Sequence, residues 1–166
     1  MLDTSNSMGP ELFESIKEGA KEAFAAGIGD GERRDYAVIN FSSRTLYSGW
    51  VPKTKSKQLE GIIDKHQQYG TEPDLDVIAQ LKNKKEKFAA LLVTDGTIYN
   101  NKQLVSVLKD IVSKGNKLGV VCTNTAYIDP FIKEVASFAF VYFTPNAENT
   151  KKMIKHYARC AFQGTL

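Results

Sequence analysis

Cysteine and histidine are both scarce in this sequence, which restricts the disulfides and metal centres that the chain can form. The 166 residues contain two cysteines and two histidines. Cys122 and Cys160 lie far apart, and neither has a partner at the short spacing of a zinc site. We therefore interpret both as buried free thiols, which favours a reducing, cytoplasmic setting, and we place His66 and His156 on helix surfaces.

Long apolar runs and a strong net charge are missing as well. No stretch reaches membrane-spanning length, and no signal peptide is visible at the start. The formal charge of +3 is too small and too scattered to favour a nucleic-acid partner. The basic runs at 53–57 and 82–87 are typical of solvated helix ends and loops. A length of 166 residues predicts a single domain over 1–166.

What the sequence does contain is a regular alternation of strand-like and helix-like segments. Apolar segments predict strands over 35–41, 45–50, 88–93, 117–123 and 138–143. Apolar residues at helical spacing predict helices at about 12–24, 59–67, 75–81, 104–112, 128–135 and 148–162. We therefore predict an α/β three-layer sandwich of Rossmann-like type. Its central sheet is mostly parallel with one antiparallel edge strand, and helices cover both faces.

The opening stretch, MLDTSNSM, carries candidate functional residues. It has the pattern of an apolar strand end followed by a loop with one carboxylate and two hydroxyls, from Asp3, Ser5 and Ser7. Oxygen ligands at alternate positions suit a hard divalent cation such as Mg²⁺. Serine and aspartate ahead of a helix also serve as caps and turns, so the octapeptide alone leaves both interpretations open.

Two more side chains are expected near this loop. Asp95 follows the apolar segment at 88–93, and Thr71 lies in the loop 69–73 ahead of a helix. Asp3 and Asp95 both come at the carboxyl end of a strand-like segment. In open α/β sheets, ligands bind outside these ends, at the point where the strand order reverses. We therefore expect both carboxylates at the same rim of the sheet.

At this point the sequence resembles the von Willebrand factor type A (vWA) family over essentially its whole length. The metal-ion-dependent adhesion site (MIDAS) of that family has the pattern Asp-x-Ser-x-Ser, then a distant Thr and a distant Asp. Here it stands as DTSNS, the Thr of YGTEPD and the Asp of LLVTDG. The resemblance implies that hydroxyls of Ser5, Ser7 and Thr71 are offered to the ion, while Asp3 and Asp95 act largely through water.

The resemblance also implies a function. Mg²⁺ or Mn²⁺ held mostly by neutral hydroxyls stays electrophilic, and an open coordination position favours a carboxylate from a partner protein. We therefore expect a divalent-cation-dependent protein–protein interaction module without catalysis, and neither nucleic acid nor membrane as a partner. Domains of this family occur in adhesion proteins, beside ATPases, and in complex assembly. The free thiols favour an intracellular setting. In that setting, the expected partner is an ATPase or a subunit of a complex.

Two features depart from the family pattern. Only Met1 and Leu2 precede Asp3, where the family has a central strand of several residues, so the first central strand is truncated. We expect either a fragment of a longer chain or a start assigned downstream of the natural one. In addition, Glu72 follows Thr71 where small polar residues are common. Glu72 either reaches the ion in place of a partner's carboxylate or, as we favour, faces solvent.

Other functions fit parts of the pattern. A haloacid-dehalogenase-type phosphatase also uses Mg²⁺ and an Asp after a strand. It needs a second Asp two residues later, where this chain has Ser5, and no suitably placed lysine is evident. A nucleotide site would need a phosphate loop or a glycine fingerprint that the sequence lacks. A metal-free interaction or scaffold domain of the same fold stays open because the first strand is so short.

Overall fold

A computed structural model describes residues 1–5, 7–25, 35–42, 45–65, 75–98, 101–123 and 129–166. The strands are β1 (Leu2–Asp3), β2 (Asp35–Tyr36), β3 (Ile39–Phe41), β4 (Leu46–Tyr47), β5 (Val51–Pro52), β6 (Ala89–Thr94), β7 (Lys117–Cys122) and β8 (Phe140–Phe143). The helices are α1 (Pro10–Ala25), α2 (Lys57–Asp64), α3 (Leu75–Ala79), α4 (Asn101–Ser113), α5 (Pro130–Val135) and α6 (Ala147–Gln163). Short 3₁₀ turns precede α2 and follow α3.

Six of the strands form one mixed sheet in the order β4-β3-β1-β6-β7-β8. β1 pairs in parallel with β3 on one side and with β6 on the other. β7 and β8 continue the parallel sheet beyond β6. β4 pairs antiparallel with β3 at the edge. The predicted fold class, a mostly parallel sheet with an antiparallel edge strand, is confirmed.

Helices cover both faces of this sheet, because successive side chains of a strand point to opposite faces. Leu92 and Val120 belong to the core layer that includes residues of α3, α4 and α5. Their chain neighbours Val93 and Val121 belong to the layer that includes residues of α1, α2 and α6. These four side chains are at most 1% exposed. None of the helices in the described ranges is both long and apolar enough to cross a membrane.

β1 is shorter than its neighbour β6, and a cavity lies at its amino end. β6 pairs with β7 along its whole length, but its register with β1 begins only at Leu2↔Val93. The amine of Met1 donates to the carbonyl of Leu91 at 2.7 Å. Next to it is a cavity of about 650 Å³, which we call the amino-end slot. Residues of both core layers line it, including Phe24, Tyr36, Trp50, Phe88 and Tyr157.

The prediction of a single strand over 35–41 is wrong in one respect, because the structure has two short strands there, β2 and β3. β2 pairs antiparallel with β5 in a separate two-stranded sheet, and the chain enters the main sheet only at Ile39. Between them, the Val38 amide donates to the hydroxyl of Ser48 at 2.9 Å, and the Ser48 amide donates to the Val38 carbonyl at 3.0 Å. Pro52 lies in β5, where a small edge pair tolerates its missing N–H.

The two cysteines differ in exposure. Cys122 is buried at the end of β7, as predicted, but Cys160 on α6 is partly exposed, so the prediction of two buried thiols is wrong for Cys160. The Sγ of Cys160 lies 3.6 Å from Nε2 of His156, about one helical turn earlier. His156 is exposed on α6, as predicted, and His66 lies outside the described residues.

Candidate functional site

The candidate site lies where the chain changes direction across the sheet. From β1 the chain passes to β3 and β4 on one side, and it then returns to β6 on the other side of β1. Loops that leave two neighbouring strands in opposite directions open a crevice at the carboxyl ends of those strands. Asp3 ends β1 and Thr94 ends β6, with Asp95 directly after it. The polar residues predicted from the sequence therefore follow the two central strands.

Asp3 is held by donors from two different elements. It is 1% exposed. Its Oδ1 accepts the backbone N–H of Ser5 at 2.9 Å, and its Oδ2 accepts the hydroxyl of Thr94 at 2.6 Å. Hydrogen bonds to a carboxylate are stronger than those between neutral groups. The carboxylate is therefore fixed in orientation by its own loop on one side and by β6 on the other.

The electrostatics of Asp3 also distinguish it from an ordinary surface carboxylate. Burial, with a smaller contribution from the carboxylate of Asp95, raises the pKa of Asp3 from 3.8 to about 6. The hydrogen bonds from Thr94 and Ser5 act in the opposite direction. A cation beside a carboxylate favours its ionised form. A cation bound next to Asp3 would therefore offset the effect of burial and keep its carboxylate ionised.

The hydroxyls of Ser5 and Ser7 are hydrogen-bonded to each other. Their Oγ atoms are 2.8 Å apart. Two adjacent oxygen ligands of an octahedral Mg²⁺ ion are about 3 Å apart, given Mg–O distances of 2.0–2.1 Å. Ser5 is 3% exposed, whereas Ser7 faces solvent. The pair thus presents two neutral oxygens, one inside the crevice and one at its mouth, at a spacing that fits a small hard cation.

The positions of these serines also decide against the capping alternative. α1 begins at Pro10, so the N-cap position falls on Gly9. The carbonyl of Gly9 accepts the N–H of Phe13 at 3.0 Å, which is the first backbone bond of the helix. Ser7 lies two positions before the N-cap, and Ser5 lies further back. Their hydroxyls therefore do not occupy the N-cap of α1.

Asp95 sits in a tight turn after β6. It is half-buried, and its Oδ1 accepts the N–H of Thr97 at 2.9 Å. Gly96 between them has a φ of +89°, a left-handed conformation that favours glycine. A Cβ on Gly96 would also lie 3.4 Å from the Sγ of Cys122. The turn keeps the carboxylate of Asp95 close enough to Asp3 to raise the pKa of Asp3.

The residues present fit a hard divalent cation. Within the described ranges, no three side chains of His, Cys, Asp or Glu are grouped as metal ligands. A cation centre in that part of the chain would therefore need other oxygen ligands as well, and the loop after β1 offers several hydroxyls. Thr4 supplies a further one, since its Oγ1 is buried and has no hydrogen-bond partner among the described residues. Hydroxyl and carboxylate oxygens are ligands suited to Mg²⁺ and Mn²⁺.

Not every predicted site residue can be placed. Thr71, together with Glu72 and Pro73, lies outside the described residues. The structure brings Asp3, Ser5 and Ser7 together through the hydrogen bonds of one loop, and the carboxylate of Asp95 is near enough to raise the pKa of Asp3. The role predicted for Thr71 stays a prediction.

Thr94 was not predicted from the sequence as a site residue. Its hydroxyl donates to Asp3 and accepts the N–H of Gly96 at 3.0 Å. Its side chain is fully buried. A threonine at the end of an apolar segment is a common strand residue, so composition gave no reason to single it out. The sequence signal that could have identified Thr94 was its position directly before Asp95, at the end of a strand predicted to reach the same edge of the sheet as Asp3.

Comparisons with known proteins identify the fold. No family model and no curated protein sequence matches the chain. Among solved structures, a von Willebrand factor type A protein from Catenulispora acidiphila aligns with a TM-score of 0.78 at 14% identity. The alignment covers 97% of this chain and 41% of that one.

Two further structures of similar fold contain a metal ion. The manganese-loaded TRAP protein of Plasmodium vivax aligns with a TM-score of 0.69 at 15% identity, over 95% of this chain and 71% of that chain. Proximal thread matrix protein 1 from the mussel byssus, with a zinc-occupied MIDAS motif, aligns with a TM-score of 0.66 at 16% identity. It matches 97% of this chain and 44% of its own length. At these identities the similarity shows the fold alone: the chain has the vWA fold.

Proposed function

We propose that this domain is a divalent-cation-dependent protein–protein interaction module. Asp3, Ser5, Ser7, Thr71 and Asp95 would hold Mg²⁺ or Mn²⁺ at the carboxyl ends of β1 and β6. The observation that carries the proposal is the pair of hydroxyls from Ser5 and Ser7, 2.8 Å apart, beside the buried carboxylate of Asp3. The manganese and zinc in two proteins of the same fold support a divalent cation.

The chemistry of the donors determines what such a site would bind. A bound Mg²⁺ ion supplies a strong positive charge and prefers oxygen ligands in octahedral geometry. Neutral hydroxyls reduce that charge little, so the ion would keep an affinity for an anionic oxygen from outside. The partner is therefore a protein that presents an aspartate or glutamate side chain at an exposed position. In this proposal the domain binds and does not catalyse.

One observation favours a second candidate, a metal-free interaction domain of the same fold. Both oxygens of Asp3 already accept hydrogen bonds from protein donors. The crevice is therefore internally satisfied at Asp3 without any ion. A phosphatase of the haloacid dehalogenase type is not favoured by the same geometry, since the hydroxyl of Ser5 faces Ser7 where an acid–base carboxylate would be needed.

The experiment is a calorimetric titration of the protein with Mg²⁺ and Mn²⁺, followed by amide NMR. Ser7→Ala is the site variant, because Ser7 is exposed and its loss leaves the core intact. Ser113→Ala is the matched control, because it removes an exposed hydroxyl at the end of α4. We expect saturable binding that is weakened in Ser7→Ala and unchanged in Ser113→Ala, with shifts at Ser5 and Asp95.

Partner chemistry is tested in the same series. Immobilised peptides that carry one aspartate should retain the Mg²⁺-loaded protein, whereas the asparagine versions should not, and a chelator should release it. If the wild-type protein binds neither cation in the titration, the metal-dependent function is wrong and the metal-free candidate replaces it. If cation binds but aspartate and asparagine peptides are retained equally, the acidic partner is wrong.

A further inference from the structure

Thr94 connects the two loops of the candidate site through one side chain. Its hydroxyl donates to Oδ2 of Asp3 at 2.6 Å, and the same oxygen accepts the N–H of Gly96 at 3.0 Å. Asp3 is the last residue of β1, directly before the loop that carries Ser5 and Ser7, while Gly96 belongs to the turn that carries Asp95. The hydroxyl of Thr94 is therefore a bridge between the predicted ligands that lie furthest apart in the described sequence.

The backbone of Thr94 is anchored as firmly as its side chain. Its carbonyl accepts the N–H of Thr123 at 3.0 Å, which continues the ladder between β6 and β7. The residue is fully buried, and Asp3 is 1% exposed. A hydroxyl that both accepts and donates is polarised by its acceptor bond, so its donor bond is strengthened. Burial and these two hydrogen bonds together restrict the side-chain orientation of Thr94, and this orientation holds Oδ2 of Asp3 in place.

No other donor from β6 to Asp3 is found among the described residues. The other hydrogen bonds of the carboxylate come from the backbone and the side chain of Ser5, in the loop that follows Asp3. Those bonds move with the loop and do not fix it relative to β6. The backbone of β1 is paired with β6, and the bond from Thr94 is the described side-chain bond that fixes the carboxylate of Asp3 relative to the turn of Asp95.

We propose that Thr94 is a positioning residue of the cation site, whose hydroxyl orients Asp3 and locks it to the turn that carries Asp95. Thr94 would not touch the ion. This inference rests on the proposed function for its effect on cation affinity, but the bridge itself exists in the metal-free protein and can be examined there.

The experiment compares three variants. Thr94→Val keeps the shape of the side chain and removes the hydroxyl, whereas Thr94→Ser keeps the hydroxyl. Thr144→Val is the matched control: Thr144 is 2% exposed, follows β8 at the same sheet edge, and its Oγ1 lies 2.8 Å from Oγ1 of Thr150. The Thr144→Val variant removes a buried threonine hydroxyl at the end of β8, which is two strands away from β6 in the sheet.

Each variant is titrated with Mn²⁺ by calorimetry, and amide shifts and hydrogen exchange are recorded for the metal-free protein. We expect Thr94→Val to lower Mn²⁺ affinity by about 10- to 100-fold, as is typical when a group behind a metal ligand is lost. Thr94→Ser should stay close to the wild type, and Thr144→Val should bind normally even if it melts earlier. In the metal-free Thr94→Val variant, the amide of Ser5 should shift and exchange faster, because Asp3 is no longer held.

Two results would overturn the inference. One is a wild-type affinity in Thr94→Val. The other is a Ser5 amide that does not change in the metal-free Thr94→Val variant. If the wild-type protein binds no cation, the proposed function is wrong, and the Ser5 amide alone then decides whether Thr94 orients Asp3.

Discussion

Met1 and Asp3, at the amino and carboxyl ends of β1, are two positions apart in the chain, yet their surroundings are opposite. At the carboxyl end, the buried carboxylate of Asp3 is surrounded by hydrogen-bond donors at 2.6 and 2.9 Å. At the amino end, Met1 borders a cavity of about 650 Å³ with mostly apolar lining. The first environment is polar and closely packed, and the second is apolar and open.

The difference shows that two separate features of one short strand each lower the stability of the folded protein. Burying a carboxylate is unfavourable even when it is hydrogen-bonded, because desolvation disfavours its charge. A cavity loses the dispersion contacts that a filled core would have. The first cost lies where the sequence predicts a binding site, as is common for perturbed carboxylates. The second lies where the ladder between β1 and β6 stops.

The largest expected effect concerns the charge at the carboxyl end. Because the pKa of Asp3 is raised from 3.8 to about 6, the folded metal-free protein binds a proton more tightly than the unfolded chain does. Its contribution to stability is complete below pH 3.8 and is lost as the pH rises through 6. The total is about 3 kcal/mol. The Met1 amine, whose pKa burial lowers from 8.0 to about 5, acts in the opposite direction between pH 5 and 8. The contribution of Asp3 is therefore measured as the difference between the wild type and Asp3→Asn in urea unfolding between pH 4 and 7.5.

Asp3→Asn serves to isolate that contribution, with Asp95→Asn as the control because Asp95 is only half-buried. Asp3→Asn should remove the part of the pH dependence in which stability falls as the pH rises, and Asp95→Asn should change the pH dependence little. Identical slopes in the wild type and Asp3→Asn would show that Asp3 is not the group responsible.

A smaller effect is expected from filling the amino-end slot. The alternation of ladder bonds along β6 directs the N–H of Leu91 and the carbonyl of Ala89 toward this slot. Three β-branched apolar residues added before Met1 would extend β1 along these groups. They would also convert the Met1 amine, whose pKa burial lowers to about 5, into an amide that keeps its bond to Leu91. We expect a gain of about 2 kcal/mol after the entropy of ordering is subtracted.

Chemical denaturation at pH 7.5 measures this gain, and an extension of equal length made of glycine and serine is the control. Protection of the Leu91 amide from hydrogen exchange should rise only with the apolar extension. Equal stability of the two extended proteins would show that the slot does not accept a strand. The expectation from the sequence, that the natural first strand is longer, stays a prediction.

The smallest effect is expected at the wall of the slot. The hydroxyl of Tyr157 donates to the buried carbonyl of Ala90 at 2.8 Å. Tyr157→Phe removes this bond and should cost about 1 kcal/mol. Tyr142→Phe is the control, since its ring lies 6.5 Å from that of Tyr157 and Tyr142 is only partly buried. Equal loss in both variants, measured by urea unfolding, would contradict a specific role for the Tyr157 hydroxyl.

The order and type of the main elements could be predicted from the sequence because their hydrophobic periods are long and consistent. The apolar segment at 88–93 and the helical pattern at 148–162 correspond to β6 and α6. The division of 35–41 could not be predicted in this way. It depends on the pairing of β2 with β5 and on the two hydrogen bonds between Ser48 and Val38, which are contacts between separate segments.

The candidate site shows the same limit. That Asp3 and Asp95 follow neighbouring strands could be inferred, since parallel strands end at a common edge. The role of Thr94 depends on a single hydroxyl bond to a residue in another strand, and no local pattern encodes such a bond. The spacing of Ser5 and Ser7 in sequence likewise suggested ligands, but only the 2.8 Å contact shows that the two hydroxyls meet.

The parallel register of β1 has a consequence for how the protein is made. Asp3 and Thr94 are 91 positions apart in the chain, and the bond between them closes the site. A ribosome that has just produced the DTSNS loop still has to synthesise α1, β3 and β6 before that bond can form. Contacts between such distant segments form late in folding, because closing a long loop costs entropy. A short peptide with the DTSNS sequence would therefore lack the buried Asp3 on which the proposed site depends.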